Sequence, residues 1–292
     1  MSSSTSDRVA TGDRLLGWLR LTHPFPSILD GLVSGSAALV AGAPLDLAFR
    51  LGFAMTLLQL GIGTVNDVVD APADAGRKAG KPIPSGLVSG GQATVAAAIL
   101  FIVGTSLALS VSPALAGLAV LVVAIGLAYD LLFKGTAWSW LPFAVGIPIL
   151  PVFGWLGSTG GLAPAFTVLL PAAVAAGAGL AIGNALVDVE RDRSAGLTSI
   201  AIVLGPVRAR VVAAILFGAV GLAAVWSAVA ATRPIPVVLL LAIGALVPVS
   251  ASLASSSPST ARRERAWQFE AVGLAVVGTL WLALVIGGGH VA

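Results

Sequence analysis

The chain has 292 residues, 57% of them hydrophobic and only 10% charged, with a formal net charge of +3. A soluble globular domain carries about 25% charged residues, so this composition excludes one and indicates a polytopic membrane protein. The absence of cysteine excludes disulfides, thiolate metal sites and a cysteine nucleophile, and the two histidines, His23 and His290, are too few for a His-rich metal site.

Met1 to Asp13 is Ser/Thr-rich with mixed charges and lacks the basic stretch and apolar core of a signal peptide. It reads as a flexible N-terminal tail ahead of one transmembrane domain over residues 14–292. Nine apolar stretches follow, each near the ~20 residues that cross a bilayer as a helix. They span 18–41, 47–66, 92–110, 113–133, 138–157, 164–187, 207–231, 235–254 and 267–287. Pro24 and Pro26 predict a kink in the first of these or a delayed start. The fold expected is therefore all-α: about nine transmembrane helices in a pseudo-symmetric bundle around a central cavity.

The basic residues support this count. With nine spans, 14 of the 16 Lys and Arg fall on one side of the membrane and only Arg50 and Arg233 on the other. That bias predicts a cytoplasmic N-terminus and an external C-terminus in a prokaryotic-type cell membrane. It also explains the basic balance by topology, so nucleic acid is not an expected partner. Trp18, Trp138, Trp140, Trp155 and Trp267 lie near predicted helix ends and read as interfacial anchors. Arg262, Arg263 and Arg265 read as a topology anchor. Gly61, Gly63, Gly177, Gly179 and Gly183 suit close helix packing.

One pattern occurs twice at an offset of 118 residues: Asn66, Asp70 and Asp74, then Asn184, Asp188 and Asp192. Spacing of four places each trio on one helical face, and each follows an apolar span, four spans apart and in the same orientation. This suggests an internal duplication that brings both trios face to face at one membrane boundary. In a chain with only 13 acidic residues, such repetition points to a cation site. Mg²⁺ takes oxygen ligands and is usually held by one or two carboxylates plus substrate phosphate. Facing trios suit a pair of Mg²⁺ ions and, through them, a diphosphate, with neighbouring Lys and Arg neutralising the remaining oxygens.

These residues carry a resemblance to the UbiA superfamily of intramembrane prenyltransferases. Asn66-Asp67-x-x-Asp70-x-x-x-Asp74 with the basic loop through Lys81-Pro82-Ile83-Pro84-Ser85-Gly86 is similar to the first family motif. Asp188-x-x-x-Asp192-x-x-x-Gly196 is similar to the second, and Tyr129 with Lys134 matches a further pair. The resemblance implies transfer of an isoprenyl group from a prenyl diphosphate to a small, usually aromatic acceptor. It further implies that Asp70, Asp74, Asp188 and Asp192 hold Mg²⁺, with Asn66, Asp67 and Asn184 at the same rim. By the same likeness, Arg77, Lys78, Lys81, Tyr129 and Lys134 contact or steer the diphosphate. Lys81 stands where many members have Arg, keeping the charge but losing the bidentate fork. Two rival readings are a cyclase on the same scaffold, acting on the prenyl diphosphate alone, and a cation-coupled transporter. The transporter calls for acids deeper in the helices, where only Asp30 lies; that residue could orient an acceptor or pair with Arg20. His23 reads as interfacial.

Overall fold

The structure, a computed structural model, describes residues 11–76 and 80–286; Arg77, Lys78 and most of the expected tail lie outside the described residues. The last residues assigned to the tail are already helical, in α1 (Thr11–Leu21). The first expected span is broken rather than continuous. His23 adopts a left-handed backbone (φ 47°, ψ 61°), and α2 (Pro24–Val40) starts afresh with Pro24, whose missing N–H costs nothing in a first turn.

Helix α3 (Leu45–Asp74) runs 30 residues and carries the whole first trio past the expected end of its span. Helix α4 (Gly90–Leu109) opens with a capping box in which Ser89 and Gln92 satisfy each other's backbone N–H groups. Ser112 and Pro113 then start α5 (Pro113–Ala128), which passes into a π-helical turn, Tyr129–Phe133. The fifth span is split at Pro148 into α6 (Leu141–Gly146) and α7 (Ile149–Thr159). Helix α8 (Phe166–Val187) precedes two short helices, α9 (Val189–Ser194) and α10 (Ile200–Leu204). Three long helices complete the bundle: α11 (Pro206–Ala230), α12 (Ile235–Ala254) and α13 (Thr260–Trp281), the last ending in a π-helical turn, Leu282–Ile286.

Among the described residues, eight helical segments are long and apolar enough to cross a membrane, counting α5, α6–α7 and α13 with their short continuations. The remaining expected span is α2, whose 17 residues rise about 26 Å, close to the ~30 Å hydrocarbon layer. The bundle has two main apolar clusters. One joins α2, α3, α5 and α7 through Leu51, Met55, Leu58, Leu115 and Phe153. The other joins α8, α11, α12 and α13 through Phe166, Ala224, Leu241, Val277 and Trp281.

Small residues set the helix spacings, as the sequence suggested. A Cβ on Gly52 would meet the Gly31 carbonyl at 2.8 Å, which fixes how closely α3 approaches α2. Gly61 receives the Phe101 ring, Gly179 the Phe217 ring, Gly177 the Phe143 carbonyl, and Gly183 the Glu270 carboxyl. Two tryptophans depart from the interfacial reading. Trp155 is 1% exposed, packed edge-on against Phe166 in the second core. Trp267 turns inward, donating to the Leu180 carbonyl at 3.2 Å and packing on Phe25. Position near a helix end is shared by belt and core tryptophans, so the sequence alone does not separate them.

Candidate active site

The first trio is helical throughout, so Asn66, Asp70 and Asp74 lie along one face of the last turns of α3. The second differs locally despite the identical spacing. Helix α8 ends at Val187, Asp188 sits at the break (φ −107°, ψ 11°), and Asp192 belongs to α9. Asn184 lies one turn before that break, on α8.

Each carboxylate of the first motif has a defined neighbourhood. Asp67, 3% exposed, accepts from Lys81 Nζ at 2.5 Å and contacts His23 Nε2 at 2.8 Å. Lys81 also stands 3.7 Å from Asp74, whose buried Oδ2 has no hydrogen-bond partner. Asp70 Oδ2 accepts from Lys134 Nζ at 2.5 Å, a contact between residues 64 apart in sequence. In the second motif Asp188 pairs with Arg191 at 2.7 Å. Lys81 is thus directed chiefly at Asp67, and Lys134 at Asp70.

Tyr129 feels the charges of both motifs. It lies within electrostatic reach of Asp70, Asp188 and Asp192 as well as its neighbour Asp130. Its ring packs edge-on against Phe143. Backbone pairing of Thr198 N–H with the Gly135 carbonyl at 3.2 Å ties the segment after the second motif to the turn after Tyr129.

Three residues join this site without having been expected there. Asp130, 6% exposed, accepts from Asn66 Nδ2 at 2.6 Å, and its other oxygen has no partner. Its rarity as an acid ending an apolar span was a usable signal. His23 reaches Asp67 because the helix break turns it inward. Arg263, read as a topology anchor, is 5% exposed and does something different. Its guanidinium donates to the Val187 carbonyl (3.2 and 2.9 Å), the Ser257 carbonyl (2.9 Å) and Glu190 (2.5 Å). It therefore caps the C-terminus of α8 at the residue before Asp188. Nothing in Arg262-Arg263-Glu264-Arg265 marks which arginine turns inward.

Among the described residues no three acidic or histidine side chains form a closed metal cage. The donor set nevertheless fits Mg²⁺. All its members are hard oxygens, one buried Asp74 oxygen has no hydrogen bond among the described residues and only Lys81 at 3.7 Å beside it, and the ion needs only one or two carboxylates when phosphate and water complete its shell.

Beneath the acids an apolar cavity of about 150 Å³ runs between α2, α6, α7, α8, α11 and α13. It begins at Phe143, Leu180 and Trp267, contains Asp30 as its one charged lining residue, and ends at Trp281 and Leu282. Asp30 thus faces an apolar cavity.

Long apolar helices carrying a paired-acid site at one boundary define a multi-pass integral membrane protein. The chain matches the model of the UbiA prenyltransferase family over residues 31–274 and belongs to that family. It is therefore a prenyltransferase by family. It is 31% identical to the digeranylgeranylglyceryl phosphate synthase of Methanoregula boonei, over 65% of this chain and 68% of the relative. It is 32% identical to the protein of the same name from Natronomonas pharaonis, over 69% and 74%. Its fold matches that of a UbiA homologue from Archaeoglobus fulgidus, solved bound to DMAPP and Mg²⁺. The TM-score is 0.69 at 18% identity, over 89% of this chain and 98% of that one.

Proposed function

We propose that this protein catalyses Mg²⁺-dependent transfer of an isoprenyl group from a prenyl diphosphate to a hydroxyl of a glycerol phosphate lipid within the membrane. The observation that carries the reading is that Tyr129, beside Lys134 and above an apolar cavity that starts at Phe143, lies within electrostatic reach of both acidic motifs. The acceptor is assigned from the names of the curated relatives, which specify a prenylated glycerol phosphate as product. They favour it over the aromatic ring that the family resemblance suggested. The A. fulgidus homologue with DMAPP and Mg²⁺ supports the donor and the metal.

Asp70 and Asp74 from one half and Asp188 and Asp192 from the other would hold Mg²⁺, with two ions expected from two arms. Mg²⁺, when bound, draws charge from the departing diphosphate. Tyr129 and Lys134 supply an O–H and an ammonium for the diphosphate oxygens, fixed before reaction so that little reorganisation is needed. The C1–O bond of the donor breaks with its electron pair leaving on diphosphate. The acceptor oxygen bonds C1, and its proton passes to diphosphate or solvent. Apolar walls below Phe143 keep water from the allylic cation. The one-sided distribution of Lys and Arg supports a cytoplasmic location for this face.

Purified protein incubated with prenyl diphosphates and either a glycerol phosphate lipid or a hydroxybenzoate tests this. A prenyl ether formed with Mg²⁺ and lost with chelator is expected. A prenylated ring would overturn the acceptor assignment. A cyclic hydrocarbon made without acceptor would overturn transfer altogether.

A further inference from the structure

Three contacts between α3 and the end of α5 share one register. Ile62 lies against Gly126, Asn66 against Asp130 and Asp70 against Lys134, each pair 64 residues apart in the chain. Residues spaced by four on each side place these contacts on successive turns of two helices running side by side. Gly126 sets how closely they approach, because a Cβ there would meet Ile62 at 2.6 Å. The π-helical turn Tyr129–Phe133 is closed by the Lys134 N–H on the Tyr129 carbonyl at 2.8 Å. It carries Asp130 and Lys134 past the regular end of α5 in that same register, and such turns are frequent at functional sites.

The middle contact falls on a residue to which the reaction as described gives no task. Asp130 is 6% exposed, and apart from the Asn66 contact its carboxyl has no hydrogen bond among the described residues. A carboxylate only accepts hydrogen bonds, whereas the Asn66 amide has a donating NH₂ end and an accepting carbonyl end. At 2.6 Å from Asp130 Oδ1, the NH₂ end is committed. The carbonyl end is left over and takes no hydrogen bond from any described residue. It belongs to the residue one turn before Asp70, on the face of α3 that carries the first acidic trio. An amide carbonyl is a hard oxygen of the kind Mg²⁺ and Mn²⁺ accept. Resting on the Mg²⁺ reading of this site, we infer that Asp130 is a positioning residue: it holds the Asn66 amide by its NH₂ end and so presents the carbonyl oxygen to the ion at the first acidic motif. The negative charge suits this part. A neutral amide in place of Asp130 could meet Asn66 either way round, but a carboxylate admits one orientation only.

The test is Mn²⁺ binding by full-length protein in detergent, read from loss of the free-ion EPR signal, with folding followed by thermal melts. Asp130→Leu should weaken binding at least about tenfold, the usual cost of removing a group that orients a metal ligand. Asp130→Asn, which can hold the amide either way round, should fall between wild type and Asp130→Leu. Asn66→Leu should match Asp130→Leu, and the double variant should lose no more than either alone, because both changes withdraw the same oxygen. Additive losses, or wild-type Mn²⁺ affinity in Asp130→Leu, would show that Asp130 merely ties α3 to the π-helical turn and refute the positioning role. If Asp130→Leu leaves no folded protein, Asp130→Ala carries the same expectations. A wild type that takes up no Mn²⁺ would instead overturn the metal reading on which the assignment rests.

Discussion

Arg263→Ala tests whether the last span positions the second acidic motif. The substitution strands the Val187 carbonyl, which receives two of the guanidinium's hydrogen bonds, and the Ser257 carbonyl, which receives one. An unsatisfied buried group costs about 1–3 kcal/mol, and these two carbonyls are only partly buried, which places each toward the lower end. The pairing with Glu190 adds little, because that carboxylate is 63% exposed and screened by solvent. A local loss of about 2 kcal/mol falls on the junction beside Asp188. Each 1.4 kcal/mol is a factor of about ten in the population of the ordered junction. Turnover should therefore drop at least about tenfold, and the Mg²⁺ concentration for half-maximal rate should rise. Arg263→Lys, which keeps one donor but loses the fork, should fall between. The assay is prenyl transfer across a Mg²⁺ titration, with thermal stability in detergent measured alongside. Wild-type turnover and Mg²⁺ dependence in Arg263→Ala would refute the positioning role, whatever the stability change.

Lys134→Ala removes the cation on Asp70 and should raise the KM for prenyl diphosphate more than the Mg²⁺ requirement; equal effects on both would contradict its assignment to the diphosphate. Asp67→Asn withdraws the charge facing both Lys81 and His23. It should lower thermal stability by about 1–3 kcal/mol, and an unchanged melting temperature would show that this cluster does not hold the loop. Gly154→Ala pushes a methyl into the Ser34 backbone of α2 and should destabilise by about 1–3 kcal/mol or more. Gly117→Ala meets nothing within 4 Å and should stabilise α5 by about 0.5–1 kcal/mol. Heat denaturation of the pair in detergent checks the contrast.

Much of the architecture was legible because membrane burial writes itself into long apolar runs. Pro24 and Pro113 start helices where their missing N–H costs nothing, whereas Pro148 splits a span that its apolar run presented as continuous. Legibility failed where a side chain's direction decides its role. Arg263 and Trp267 have neighbours of identical type near helix ends, and only helix phase and tertiary contact turn them inward. The two acid trios share one spacing, yet α3 runs through its trio while α8 stops at Asp188. At that stop the Val187 carbonyl is capped by Arg263, 75 residues beyond Asp188 in the chain. Asp130 belongs to neither repeat, and only its rarity as an acid at the end of an apolar span marked it; its place is set by the π-helical turn Tyr129–Phe133.

The central claim is that the two motifs act as one Mg²⁺-dependent site for a prenyl diphosphate. The direct measurement is diphosphate release by purified wild type, Asp70→Asn and Asp188→Asn across a Mg²⁺ titration, with folding verified by thermal melts. The account predicts turnover in the wild type that chelator abolishes, and its loss in each variant although only one arm is altered. Full turnover in either folded variant, or a wild-type rate indifferent to chelator, would contradict it.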